Sequence, residues 1–200
     1  VRHPRDIGLC SLRAGRRDLG AAFVTGFLMI GVVLAAGGGL GAYRPESEPR
    51  LLSAFGFLFA ALLVGVLEEV LFRGIVYRSL RGTMGLWAGI LVSSVFFSAV
   101  HFASPEPTIG VAHAHWYSGL HLIPDTFRNV HAGHHYFPVP LNLFQMGVAL
   151  CLVVERSGHL YAAIGLHAGW AWAMRVGNQV LHRETGRWGA LFGWDNRLAS

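Results

Sequence analysis

Residues 51–73 read LLSAFGFLFAALLVGVLEEVLFR. The run from Leu51 to Leu67 contains no Asp, Glu, Lys or Arg, and it ends on the adjacent acids Glu68 and Glu69, followed by Arg73. A membrane-spanning helix needs roughly 20 mostly apolar residues, with a range of about 17–25. Such a run predicts a span, and the acids at its end raise the question of what carboxylates do at that depth.

Four further segments also lack charged side chains: 19–43, 82–105, 129–154 and 157–174. The first is too long for the apolar region of a signal peptide and has no obvious small-residue cleavage pattern, so it is read as a retained span. The apolar blocks are continuous rather than alternating, which disfavours outer-membrane strands and β structure in general. The resulting expectation is an all-α, polytopic membrane helix bundle of about five to six transmembrane helices, forming one membrane domain over 1–200.

Composition agrees with that class. Charged residues make up 14% of the 200 residues, against about 25% in soluble domains, and the mean hydropathy is +0.45. The basic residues are all Arg, 16 of them, against 11 acidic residues. They are scattered between uncharged blocks rather than gathered on one face, so nucleic acid is excluded as a partner and the lipid bilayer takes its place. Arg13, Arg16 and Arg17 precede the first block and predict a cytoplasmic N-terminus. The second helix then returns to the cytoplasm near Arg78 and Arg81. The third runs out from Gly85 to about Phe102, and 103–137 lies outside. The fourth and fifth meet at the Ser157-Gly158 turn. The C-terminal aromatics Trp188, Phe192 and Trp194 read as an interfacial belt.

Ionisable residues inside spans are costly and default to function. Here they are Glu68, Glu69, Arg73, His101 and His167. Glu69 and Arg73 are four apart and share a helix face, so Arg73 neutralises one carboxylate. Glu68 points about 100° away. Taken alone, this pattern also suits a helix end emerging among headgroups. Depth favours function. From a turn at Gly82–Met84, Glu68 lies about 21 Å back along one helix and His101 about 25 Å along the next. His167 lies about 14 Å beyond Gly158. A carboxylate and two imidazoles then share the middle third of the bilayer.

A carboxylate and an imidazole around a water form a general-base pair that activates it against a peptide carbonyl. A second imidazole can donate to the developing oxyanion, and a low dielectric strengthens that interaction. The same three residues, Glu68, His101 and His167, are also a complement for catalytic zinc with a fourth position for water. Neither cysteine, Cys10 or Cys151, has a partner at a recognisable spacing, which disfavours a covalent nucleophile.

Glu68-Glu69-x-x-x-Arg73, Phe97-x-x-x-His101 and His167 on a later helix resemble the three motifs of the CPBP (CAAX protease and bacteriocin-processing) family, also called ABI, which includes the Ras-converting CAAX prenyl endopeptidases. The stretch from Glu155 to Trp170 is similar to the family's run into its last motif. The resemblance covers about 64–178. It implies an integral membrane endopeptidase of the glutamate type that cleaves a membrane protein or peptide substrate, with no cofactor, and zinc as the alternative. It implies that Glu68 and His101 activate water, that His167 helps form the oxyanion site, that Glu69 and Arg73 organise the first motif, and that Phe97 shapes the second. A bacterial inner membrane is the expected location. One departure stands out: the family often carries Asn or Asp four residues after the last His, and here that position is Ala171. Asn142 and Gln145 are the candidate replacement donors. Ala171 also keeps open a catalytically weakened scaffold or immunity protein of the same fold.

Segment 103–137 holds His113, His115, His121, His131, His134 and His135, with prolines that argue against one continuous helix. His131-Ala-Gly-His134-His135 resembles a single box of membrane di-iron desaturases and hydroxylases, but the other pairs are badly spaced for the several boxes those enzymes need. The segment is read as an interfacial lid, with metal binding as its alternative.

Overall fold

The structure is a computed structural model and describes residues 8–9, 12–48, 51–102 and 138–184. The His-rich segment 103–137, Cys10 and the C-terminal aromatic belt lie outside the described residues. The described chain is helical apart from one short strand pair: α1 (Leu12–Gly39), β1 (Tyr43–Pro45), α2 (Leu51–Glu69), α3 (Arg78–Met84), α4 (Leu86–Phe102), α5 (Pro138–Ser157), α6 (Tyr161–Val180) and β2 (Leu181–Arg183). Between α2 and α3, residues Val70–Tyr77 form a π-helical turn, so 51–84 are continuously helical.

The breaks between helices fall at glycines whose backbone needs them. Gly85, between α3 and α4, has φ +83°, and Gly158, between α5 and α6, has φ +76°. A side chain in that left-handed region is strained, so glycine is the residue that turns the chain there.

Two stretches, Gly15–Gly39 and Phe55–Met84, are long and apolar enough to cross a membrane, and the apolar stretch Leu86–His101 is shorter. Helices α5 and α6 have 20 residues each. Asn142, Gln145, Glu155 and Arg156 on α5, and His167, Arg175, Asn178 and Gln179 on α6, dilute their apolar character. Large side chains such as Val32, Phe55 and Phe59 are exposed on α1 and α2. An exposed apolar surface of that extent marks a face that meets lipid or another protein.

Strand β1 pairs antiparallel with β2, Arg44 opposite His182. This corrects the expectation of a chain without β structure. The pair forms where α1 and α6 have ended, and the backbone groups of the two emerging segments satisfy one another.

The chain divides into two compact units, one made of 1–78 and 150–200, the other of 79–149. In the first unit, α6 packs against both α1 and α2. Trp172 on α6 meets the rings of Phe23 and Phe27 from α1 and Phe55 from α2, with centroids 5.7, 5.0 and 6.4 Å away. At one end, His159 Nε2 lies 3.0 Å from Asp18 Oδ2 of α1. At the other end, Ser53 donates to Gln179. In the second unit, α4 and the first half of α5 approach closely: a Cβ on Gly147 would meet Ser94, and Ser98 donates to the carbonyl of Pro140 at 2.8 Å.

Candidate functional site

The first unit brings Glu68, Glu69, Arg73 and His167 together. Glu69 is the last residue of α2, and Arg73 follows on the π turn. The helical offset of four survives the wider turn, and Arg73 Nη1 donates to Glu69 Oε1 at 2.8 Å. Nδ1 of His167 lies 2.8 Å from that same oxygen. All three side chains are buried: Glu69 is 0% exposed, Arg73 1% and His167 6%. A carboxylate desolvated to that degree requires cationic or hydrogen-bonding partners, and both are present. Among the described residues Glu69 Oε2 is buried without a hydrogen-bond partner, so both bonds concentrate on one oxygen.

The carboxylate can only accept, so the His167–Glu69 bond places a hydrogen on Nδ1. The other ring nitrogen, Nε2, lies 3.8 Å from Glu68 Oε2. Glu68 retains 25% side-chain exposure whereas its neighbour retains none. Adjacent acids therefore occupy different environments. Glu69 is held inside a network, and Glu68 is accessible beside an imidazole.

The second unit holds Phe97 and His101 on α4. His101 Nδ1 lies 2.9 Å from the Phe97 carbonyl oxygen, one helical turn earlier. A carbonyl accepts, so Nδ1 carries the hydrogen and Nε2 is the basic nitrogen of the neutral ring. The Phe97 ring packs on the imidazole with centroids 4.2 Å apart and is itself buried. Phe97 thus fixes both the plane of His101, through its ring, and the tautomer, through its carbonyl. Asn142 and Gln145 lie on exposed positions of α5. Ala171 sits one turn beyond His167 and adds no hydrogen-bonding side chain.

A catalytic zinc takes three protein ligands. Among the described residues, no three His, Cys, Asp or Glu side chains gather closely enough to hold a metal ion.

Several supporting features escape a reading by motif. Tyr77 closes the π turn, is fully buried, and donates to Glu155 Oε1 at 2.9 Å. The π turn itself lies within a continuous apolar pattern that reads as an ordinary helix. Gly165 and Gly169 flank His167 on α6 at a spacing of four. Glycine inside a helix costs about 1 kcal/mol relative to alanine, and that cost is the available signal for a close contact.

Residues 50–173 match the family model described as type II CAAX prenyl endopeptidase Rce1-like. The match includes all three motifs, from Glu68 to His167, and begins after α1. No curated protein and no solved structure matches the chain.

Proposed function

The chain belongs to the Rce1-like type II CAAX prenyl endopeptidase family, and on that premise we propose that it is an intramembrane endopeptidase that hydrolyses a peptide bond of a membrane-associated protein with a water activated by Glu68 and His101. The family is membrane-integral, and the two long apolar helices accord with it. The observation that carries the reading is the buried array in which Glu69 Oε1 takes both Arg73 and His167 while Nε2 of His167 faces Glu68.

In this mechanism, Glu68 removes a proton from water as its oxygen attacks the peptide carbonyl carbon. Nε2 of His101, the basic nitrogen of its ring, accepts a hydrogen bond from the water's other O–H, which stays bonded to the oxygen, and so orients the lone pair. The carbonyl oxygen becomes an oxyanion. His167 stabilises it from Nε2, which requires the imidazolium, because Nδ1–H is already committed to Glu69. In that form Glu68, Glu69, Arg73 and His167 balance to zero net charge, which suits a low-dielectric interior. Glu68 then hands its proton to the leaving amine, and the C–N bond breaks. Glu69 and Arg73 act as positioning residues that hold the His167 ring. The cationic His167 supplies from one side chain part of the stabilisation that Ala171 does not.

Glu68→Ala and His101→Ala, each purified as inserted, folded protein, are expected to abolish cleavage. Full activity in both overturns the proposal. Cleavage by metal-free protein in the presence of chelator is expected, and loss of cleavage restored by zinc favours the metal alternative. Mass-mapping of peptide termini in membranes carrying the wild type or Glu68→Ala identifies the substrate. Ala171 favours one second reading, a scaffold of the same fold. It predicts tight binding of a membrane peptide with no product. The proposed location is a bacterial inner membrane with the N-terminus in the cytoplasm, supported by Arg13, Arg16 and Arg17 before α1.

A further inference from the structure

His167 is set on α6 between two glycines, and both touch the backbone of another helix. A Cβ on Gly165 would strike the carbonyl oxygen of Leu19, and one on Gly169 would strike that of Phe23 and come within 3.0 Å of the Phe27 nitrogen. Backbone atoms cannot rotate away as a side-chain tip can, so α1 and α6 meet at the closest separation the chain permits. On the neighbouring face of α6, Gly65 of α2 approaches Ala168: a Cβ there would lie 3.3 Å from the Ala168 Cβ and 3.3 Å from the Ile164 oxygen. Helix α6 is thereby in close contact with both α1 and α2 at the level of His167. Elsewhere on α1 and α2, Gly20, Gly31 and Gly56 have nothing among the described residues within 4 Å of an added Cβ.

We infer that Gly165 and Gly169, pressed on α1, and Gly65, pressed from α2, are positioning residues for His167, and that α1 is part of the catalytic frame although it precedes the segment shared with the family. The inference rests on the endopeptidase reading for its kinetic consequence but not for its geometry. The mechanical argument is direct. The His167–Glu69 bond of 2.8 Å joins α6 to the end of α2. A methyl group inserted between α1 and α6 must push α6 away from α1 or rotate it. Either movement carries His167 relative to Glu69 while leaving both side chains intact. Misplacement of a reacting group by about 1 Å costs on the order of 10²-fold in rate.

The test uses the full chain in nanodiscs. Gly165→Ala and Gly169→Ala are expected to lower kcat about 10²-fold per folded molecule with KM unchanged, while Gly20→Ala and Gly31→Ala behave as the wild type. The second readout is the Nδ1–H resonance of His167 in protein labelled with ¹⁵N-histidine, assigned by its loss in His167→Gln. It is expected to shift or disappear in Gly165→Ala and Gly169→Ala and to persist in the controls. This signal does not require turnover. A chain that cleaves nothing defeats the endopeptidase reading, and the resonance still decides the clamp. Wild-type kcat with an unshifted resonance in both glycine variants overturns the inference. If those variants do not fold, Gly65→Ala takes their place. It is expected to give a smaller loss of kcat and a shifted resonance, both relieved by adding Ala168→Gly, and absence of either effect overturns the inference.

Discussion

Two regions of this molecule are built from the same three residue types. In the first, Glu69, Arg73 and His167 meet with 0%, 1% and 6% exposure. In the second, the strand pair that joins the end of α1 to the end of α6, Arg44 pairs with Glu184 at 2.6 Å and His182 lies 3.6 Å from Glu46. There the Arg44 and Glu184 side chains are 62% and 44% exposed. The distances are similar and the chemistry is the same, but the surroundings differ. At the strand pair water and salt screen each charge and replace any lost partner. In the cluster no solvent compensates, so each member depends on the others. Close ion-pair geometry therefore says little about importance until burial is known.

The largest effect is expected where a buried partner is removed. Arg73→Ala leaves the Glu69 carboxylate desolvated with His167 as its one remaining partner among the described residues. A loss of about 3–5 kcal/mol is expected, seen as a lower midpoint of unfolding and a smaller folded fraction in detergent. Unfolding like the wild type would place the cluster in the same class as the strand pair.

An intermediate case is Tyr77→Phe, which removes only the hydroxyl that donates to Glu155. Tyr77 is fully buried and the acceptor is a carboxylate, so about 1.5–3 kcal/mol is expected, measured by equilibrium unfolding. Arg44→Ala at the strand pair is expected to cost less than about 1 kcal/mol, and less again at high salt. A salt-independent loss larger than that would show the outer pair to be shielded from solvent.

The smallest effect concerns pH. The backbone N–H of Ser47, and then its hydroxyl, hold the Glu46 carboxyl below its ordinary value of 4.5. A depressed carboxyl favours the fold above its unfolded pKa, and the contribution is lost as pH falls through the lower folded value. Amide exchange at Glu46, whose N–H donates to Val180, is expected to quicken slightly over that acid range. Ser47→Ala removes the hydroxyl contribution and is expected to move the transition to higher pH, followed by NMR titration of the Glu46 carboxyl.

Much of this is legible in the sequence. The run ending in Glu68 and Glu69, the Arg73 four residues on, and the Ser157-Gly158 turn are local features, whereas the turn expected at Gly82–Met84 falls at Gly85, because 82–84 complete α3. Each follows from helical period or backbone sterics over a few residues. The asymmetry of the two acids was also readable, since 100° of helical rotation sends them to different surroundings. What escaped the reading is non-local or subtle. The π turn has the same apolar pattern as the α-helix around it. Tyr77 and Glu155 are 78 residues apart, and nothing in either neighbourhood announces the other. The strand pair is three residues long on each side, too short for a period-two pattern.

The sequence alone determined that the chain is helical and apolar, which polar residues interrupt its apolar segments, and which family's motifs they form. Helix formation satisfies backbone groups within a segment, so segment composition is sufficient. It did not determine that His167 reaches Glu69 rather than Glu68 through Nδ1, because that bond spans 98 positions. That outcome depends on how closely α6 can approach α1 and α2. Backbone contact at Gly165, Gly169 and Gly65 sets that separation, and hard-core repulsion between packed helices is a property of the fold, not of any one segment.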